Sequence, residues 1–201
     1  MEPFKRTTGV VAPLDRANVD TDQIIPKQFL KRIERSGYGP FLFYDWRRQG
    51  SFILDRPEYQ GATFLVTGPN FGCGSSREHA AWSLLDAGFR AVIAPSFSDI
   101  FKSNGFRSGL LPVELPETAV RQLIDLAVRQ PGIEITVDLE SSLISLPARG
   151  EGSGWEAGFS VDPFFRECLL NGWDEVALTL RQDADIARYE STRPGWLPIS
   201  R

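Results

Sequence analysis

Residues 70–79 read Asn-Phe-Gly-Cys-Gly-Ser-Ser-Arg-Glu-His, and this decapeptide constrains the fold more than any other stretch of the chain. Residues 62–67 before it are apolar and β-rich, which predicts a strand. The alanine- and leucine-rich stretch after it predicts a helix over about residues 76–87, ended by Gly88. A glycine turn between a strand and a helix N-terminus favours anions, because the first helical amides lack partners within the helix. Arg77 adds a fixed cation suited to a carboxylate or phosphate.

The composition limits the class of protein. The chain has 201 residues, of which 42% are hydrophobic, and this is enough for one domain with a sizeable core. A net charge of −4 and a pI of about 5.2 argue against nucleic-acid binding. No apolar run approaches the roughly 18 residues of a membrane span, and the first residues lack the apolar region of a signal peptide. We therefore expect a cytoplasmic protein without a membrane segment.

Metal-ligating side chains are few. The chain has two cysteines, Cys73 and Cys168, and a single histidine, His79. This number is too small for an iron–sulfur cluster or a structural zinc site, and two cysteines in a chain of this length do not indicate a disulfide framework. We expect no metal on this chain, and any metal that its chemistry needs to come from another chain.

Strand and helix patterns alternate along the chain and predict one α/β domain with a mixed sheet flanked by helices. Predicted strands lie near residues 10–12, 62–67, 91–95, 110–115, 133–139, 143–146 and 155–161. Predicted helices lie near residues 26–34, 76–87, 96–104, 117–129, 163–170, 174–180 and 182–189. Pro112 favours an edge position for its strand. We expect a single domain over residues 1–201 with a helical C-terminal extension over about residues 162–201.

The turn over residues 70–77, which contains Ser75 and Ser76 and is called the serine turn below, also has a purely structural interpretation. Ser75 and Glu78 have the spacing of a capping box, with Ser75 as the N-cap. The glycines then serve only as turn residues, although this leaves the second serine and Arg77 unexplained. A phosphate loop and a serine hydrolase triad are weaker alternatives, because the spacings that these sites require are absent. A nucleophilic Cys73 is also a weak alternative, although a helix N-terminus would lower the pKa of its thiol.

Several stretches resemble one known family, in one order and over most of the chain. The stretch Asn70-Phe-Gly-Cys-Gly-Ser-Ser-Arg-Glu-His-Ala80 resembles the swivelling domain of aconitase-type hydro-lyases, and most closely the small-subunit family of 3-isopropylmalate dehydratases. The further matching stretches are residues 18–31, 94–104, 109–113, 162–172 and 178–180. The resemblance implies an aconitase-like swivelling domain.

The resemblance also implies an activity. Enzymes of this family interconvert 2-isopropylmalate and 3-isopropylmalate by dehydration and rehydration through an alkene, a step of leucine biosynthesis. A [4Fe–4S] cluster in a separate large subunit serves as the Lewis acid, and the small subunit supplies the opposite wall of the site. The chain is therefore expected to act on a small dicarboxylic hydroxy acid, and only together with that large subunit.

Site residues follow from the same resemblance. Ser75 corresponds to the general base that removes the proton α to a carboxylate, and Ser76 and Arg77 correspond to carboxylate-binding residues. A serine alkoxide requires positive potential, which helix amides and Arg77 provide. A capping bond from the Glu78 amide to Ser75 would constrain the direction of the hydroxyl.

The resemblance also implies a second contact region at Leu30, Lys31 and Arg32, in a loop that the family uses to distinguish substrate side chains. In this interpretation Leu30 faces the isopropyl group, and Lys31 stands where related dehydratases carry an arginine. A slip of one residue would give the cationic role to Arg32 instead, and both charges also fit a solvated helix face. Asp20 and Asp22 either orient this loop or cap its turn, and capping is the favoured expectation. His79 either hydrogen-bonds near the site or makes a structural polar contact, and the structural contact is favoured.

Two other functions remain open from the sequence. One is an anion- or nucleotide-binding module that uses the same helix start and needs no partner. The other is a sister dehydratase that acts on citramalate/citraconate or homoaconitate-type acids. Residues 41–46 form a cluster rich in aromatic residues, which fits either the protein core or a docking face.

Overall fold

The computed structural model describes residues 1–31, 34, 36–146 and 154–194 and contains one mixed sheet of seven strands. The strands are β1 (Arg6–Leu14), β2 (Phe64–Thr67), β3 (Ala91–Ala94), β4 (Leu111–Glu114), β5 (Glu134–Asp138), β6 (Leu143–Leu146) and β7 (Trp155–Gly158). Their order in the sheet is β4-β3-β2-β1-β5-β6-β7. Strands β1 to β4 pair in parallel, and β5 to β7 continue the sheet beyond β1 in antiparallel pairs. The predicted α/β fold with a mixed sheet is confirmed.

Helices cover the sheet. The α-helices are α1 (Thr21–Ile24), α2 (Tyr44–Arg48), α3 (Glu78–Asp86), α4 (Asp99–Ser108), α5 (Glu117–Arg129), α6 (Pro163–Asn171), α7 (Glu175–Leu180) and α8 (Asp183–Thr192). Short 3-10 helices span Lys27–Lys31, Gly39–Phe41, Ile53–Asp55 and Pro57–Tyr59. Among the helices of the described ranges, none is long and apolar enough to cross a bilayer.

The side chains of the parallel strands alternate between two apolar cores. Leu65 and Val92 pack in the core that contains the buried residues of α3, whereas Phe64, Val66 and Ile93 pack in the core that contains those of α5. The second core follows from helical periodicity, because Val120, Leu123, Ile124 and Ala127 lie on one face of α5. Complete burial of each leucine or isoleucine contributes roughly 2 kcal/mol.

Several predicted elements agree with the structure. Helix α5 has the predicted bounds, and the strands predicted near residues 133–139 and 143–146 are present as β5 and β6, which pair antiparallel. Strand β4, which contains Pro112, lies at one edge of the sheet, as its proline indicated. Three helices, α6 to α8, occupy residues 163–192, but the division of the chain into a domain and an extension stays a prediction.

The aromatic-rich segment 41–46 belongs mainly to the core. Leu42 and Phe43 are fully buried, and Trp46 packs partly buried against the same cluster. The ring of Phe43 stacks on Trp46 at 5.2 Å between centroids. Of the two interpretations of this segment, the structure favours the core.

Candidate active site

The serine turn lies where the carboxyl ends of parallel strands meet. Strands β1, β2 and β3 are neighbours and run in the same direction, so the segments that follow them come together at one edge of the sheet. The Phe71 amide donates to the Ser96 carbonyl at 3.1 Å, and the Gly72 amide donates to the Val19 carbonyl at 2.7 Å. The turn after β2 is therefore hydrogen-bonded to the segments after β3 and β1.

Glycine is required at one position of this turn for two reasons. Gly72 has a φ of 74°, in the left-handed region that other residues rarely adopt. In addition, a Cβ atom at this position would lie 2.3 Å from Cγ of Phe101. The chain at Gly72 thus lies directly against helix α4, which fixes the start of the turn.

Helix α3 begins at Glu78 rather than near Ser76, and the predicted capping box is wrong. The N-cap is Arg77, in an extended conformation, and no side chain caps the helix. The physical reason is that neighbouring contacts keep the preceding residues out of the helix. The Thr21 hydroxyl donates to the Ser75 carbonyl at 3.0 Å, and Gly74 has a φ of 91°.

The two serine side chains are consequently not used by the fold. Ser75 and Ser76 are both exposed, and neither hydroxyl makes a hydrogen bond to any residue that the structure describes. The expected constraint from a Glu78 amide bond is therefore not found among these residues. The uncapped start of α3 directly after these serines presents amide groups and the positive end of the helix dipole.

The cation of the turn has an acidic partner. Arg77 donates from its guanidinium to the Asp22 carboxylate of α1 at 2.5 Å. Asp20, two residues earlier, caps α1 by accepting from the Gln23 amide at 2.7 Å. Capping is therefore confirmed for Asp20, but the capping expectation for Asp22 is wrong, since its charge is directed at Arg77.

Cys73 and His79 lie on either side of the serines and are both perturbed by burial. Burial raises the pKa of the Cys73 thiol, and the nearby Asp20 carboxylate raises it further, which disfavours the thiolate that a nucleophile needs. The ring of His79 packs against the rings of Tyr38, at 5.2 Å, and Trp82, at 4.8 Å between centroids. Burial lowers the pKa of His79, so the ring is neutral at neutral pH. The predicted polar contact is not found among the residues that the structure describes, where ring packing holds the imidazole instead.

The second contact region is short and open. Leu30 and Lys31 end a 3-10 helix, Lys27–Lys31, in place of the longer predicted helix, and Lys31 is exposed. Arg32 lies outside the described residues. No hydrogen bond or ion pair joins Leu30 or Lys31 to the serine turn within the described part of the chain. The segment that they belong to meets α3 through Tyr38, whose amide donates to the Asp86 carboxylate at 2.8 Å.

Metal ligands are not grouped in this part of the molecule. Within residues 1–31, 34, 36–146 and 154–194, no cluster of three or more histidine, cysteine or acidic side chains could hold a metal ion. Cys73 and Cys168 are free thiols. The residues that surround the serine turn therefore do not fit an iron–sulfur cluster bound by this chain alone.

Thr21 and Asp22 contact the site residues Ser75 and Arg77, and Tyr38 contacts His79 near them, but none of these contacts was assigned from the sequence. Thr21 and Asp22 lie 54 and 55 residues from their partners, Ser75 and Arg77. Sequence periodicity reports only local neighbours, so no signal in this chain reveals such pairs.

Comparisons with known proteins show which family the chain belongs to. The model of the aconitase C-terminal domain family matches residues 1–118. The 3-isopropylmalate dehydratase small subunit of Rubrobacter xylanophilus is 52% identical, over 98% of this chain and 98% of that protein. The protein of the same name from Bacillus subtilis is 51% identical, over 98% of this chain and 99% of its own.

A solved structure gives the same fold. The crystal structure of 3-isopropylmalate dehydratase from Methanocaldococcus jannaschii superposes with a TM-score of 0.65. The superposition covers 91% of this chain and 98% of the solved chain, at 23% sequence identity. At this identity the similarity shows the fold alone. With about half of its residues identical to curated relatives over nearly their whole length, the chain belongs to the family of 3-isopropylmalate dehydratase small subunits.

Proposed function

We propose that this chain is the small subunit of a 3-isopropylmalate dehydratase. It interconverts 2-isopropylmalate and 3-isopropylmalate by dehydration and rehydration in leucine biosynthesis, and it is active only with a large subunit. The observation that carries the proposal is identity of 52% over 98% of the chain to a protein of that name. The two free cysteines are compatible with a reducing cytoplasm, where we place the enzyme.

Ser75 is the proposed general base. In the dehydration, the C–H bond α to a carboxylate breaks, its electron pair forms the C=C bond, and hydroxide leaves from the neighbouring carbon. Proton and hydroxide together make one water, which returns in the opposite orientation to give the isomer. The exposed Ser75 hydroxyl is free of cap bonds, and the uncapped α3 N-terminus supplies the positive potential that an alkoxide requires.

Ser76 and Arg77 are the proposed binders of a substrate carboxylate. Arg77 uses one donor on Asp22, and an arginine has five N–H donors, so others remain for a carboxylate. Leu30 is proposed to face the isopropyl group, with Lys31 or Arg32 as a second carboxylate contact. The described residues of this chain do not form a cluster site. A [4Fe–4S] cluster in the large subunit would contribute the Lewis-acid chemistry at the leaving hydroxyl.

Reconstitution tests the proposal. An anaerobically prepared, cluster-loaded large subunit is mixed with this chain and 3-isopropylmalate, and the alkene is followed by ultraviolet absorbance. Turnover that requires both chains supports the dehydratase. If a demonstrably formed complex turns over citramalate but not 3-isopropylmalate, the assigned substrate is wrong. If neither acid reacts and the isolated chain binds nucleotides, the binding-module alternative replaces the proposal.

A further inference from the structure

The segment between helices α1 and α2 forms a closed loop, residues 25–42. The Phe43 amide donates to the Ile24 carbonyl at 2.8 Å, so the chain leaves and returns at one point. Phe43 is fully buried and has a φ of 52°, an unusual conformation for a bulky residue. The surrounding core therefore holds the return point of the 25–42 loop in a single strained arrangement.

A stack of two aromatic rings also joins the two sides of the 25–42 loop, next to the proposed substrate contact Leu30. Phe29 and Phe41 stack at 4.2 Å between centroids, with an angle of 15° between their planes. The ring of Tyr44 meets Phe29 edge-on at 4.8 Å. Phe29 directly precedes Leu30, so this stack restricts where Leu30 lies.

The far side of the loop is attached to helix α3 by Tyr38. The Tyr38 amide donates to the Asp86 carboxylate at 2.8 Å, and its hydroxyl donates to the Glu34 carbonyl at 2.9 Å. Its ring is fully buried and packs edge-on against His79, two residues after Arg77. Gly39 lies so close to α3 that a Cβ atom there would be 2.7 Å from the Asp86 carbonyl oxygen.

We propose that Phe29, Tyr38 and Phe41 are positioning residues for substrate recognition. They set where Leu30 and Lys31 lie relative to the serine turn, and so determine which substrate side chain is accepted, although they need not touch the substrate. The inference rests on the proposed function and deepens it. The ring stack holds the 25–42 loop together at Phe29 and Phe41. The contacts of Tyr38 attach the same loop to α3, the helix that begins at the serine turn.

The first test uses the reconstituted enzyme with Phe41→Leu and Tyr38→Phe. The control is Phe164→Leu, an exposed ring on α6 that contacts Phe165 and not the loop. We expect Phe41→Leu to raise KM for 3-isopropylmalate about tenfold with kcat little changed, because a displaced contact residue weakens binding before chemistry. We also expect a reduced preference for 3-isopropylmalate over the analogue in which a methyl group replaces the isopropyl group. Tyr38→Phe, which loses only the hydroxyl bond, has a smaller effect, and Phe164→Leu has none.

The second test is hydrogen exchange on the isolated chain, which does not depend on activity. We expect faster exchange at residues 27–31 and 36–41 in Phe41→Leu, with unchanged exchange in α5. If the substrate preference is unchanged while exchange is faster, the rings are only structural and the proposal is overturned. Unchanged exchange also overturns it. A wild-type complex without turnover instead overturns the proposed function, and faster exchange would then still support the positioning of the loop by these rings.

Discussion

The Arg77 guanidinium donates a hydrogen bond of 2.5 Å to the Asp22 carboxylate, and this bond joins α1 to the start of α3. The Arg77 side chain is 16% exposed and that of Asp22 is 52% exposed, so solvent screens the pair in part. Asp22 offsets some of the positive charge beside Ser75 in the isolated chain. It also fixes the direction of the guanidinium, which is the feature that a planar carboxylate contact needs.

Arg77→Lys should lower kcat/KM for 3-isopropylmalate by roughly 100-fold. Lysine keeps the charge but loses the planar pair of donors, and charge-assisted hydrogen bonds of this kind contribute about 1.5–3 kcal/mol. Steady-state kinetics on the reconstituted enzyme measure the effect. Arg121→Lys is the matched control, because Arg121 forms an exposed ion pair with Asp15 at 2.7 Å. Wild-type kcat/KM in Arg77→Lys would exclude the proposed role in carboxylate binding.

Gly72→Ala should destabilise the protein by about 3 kcal/mol, the sum of an unfavourable positive φ and a steric clash. The added methyl group would lie 2.3 Å from Cγ of Phe101. Gly50→Ala is the control, since Gly50 also has a positive φ, of 78°, but a methyl group added there would have no atom within 4 Å. We expect it to cost only about 1 kcal/mol. Denaturant unfolding gives both values, and equal losses would show that the contact with Phe101 does not matter.

Stability should decrease in acid partly through His79, whose pKa is lowered by burial. Near pH 7.5 the ring is neutral in both states, but below about 6.5 the unfolded chain takes up a proton that the folded chain does not. The free energy of unfolding therefore falls as pH drops from about 6.5 to the lowered native pKa. Glu78 opposes the shift and Arg77 adds to it, both less than burial does.

The measurement for His79 is the pH dependence of unfolding in wild type and His79→Gln. The wild-type protein should lose more stability than the variant over that interval, since His79 is the single histidine of the sequence. Identical pH slopes would mean that the ring carries the same pKa in the folded and unfolded chain.

Cys73 should be dispensable for catalysis. Burial and Asp20 raise the pKa of its thiol, so little thiolate forms at neutral pH. We expect Cys73→Ser to keep most of the wild-type kcat, and iodoacetamide to react with Cys73 more slowly than with free cysteine. Loss of turnover in Cys73→Ser, with the complex intact, would reinstate the thiol as a reacting group.

The fold was largely predictable where local pattern decides it. The apolar spacing of α5 fixes its bounds, and Pro112 marks an edge strand because a proline has no backbone N–H to donate to a neighbouring strand. The start of α3 was not predictable in this way. Ser75 and Glu78 have capping-box spacing, but the Thr21 hydroxyl binds the Ser75 carbonyl and the helix begins later.

The candidate site was predictable in its serines and its arginine but not in their supports. Ser75, Ser76 and Arg77 are adjacent in the sequence and carry the motif. The Asp22 carboxylate and the Tyr38 ring reach the site only through the pairing of β1 with β2 and the closure of the 25–42 loop. Such contacts depend on tertiary structure, which a local motif does not encode.

The most direct test of the account is the rate of alkene formation from 3-isopropylmalate by the reconstituted enzyme with Ser75→Ala. The control is Ser160→Ala, which removes an exposed hydroxyl outside the serine turn. If Ser75 is the base, its removal should lower kcat by about 100-fold or more while complex formation and the control stay normal. Turnover near the wild-type rate in Ser75→Ala would contradict the account and require another base.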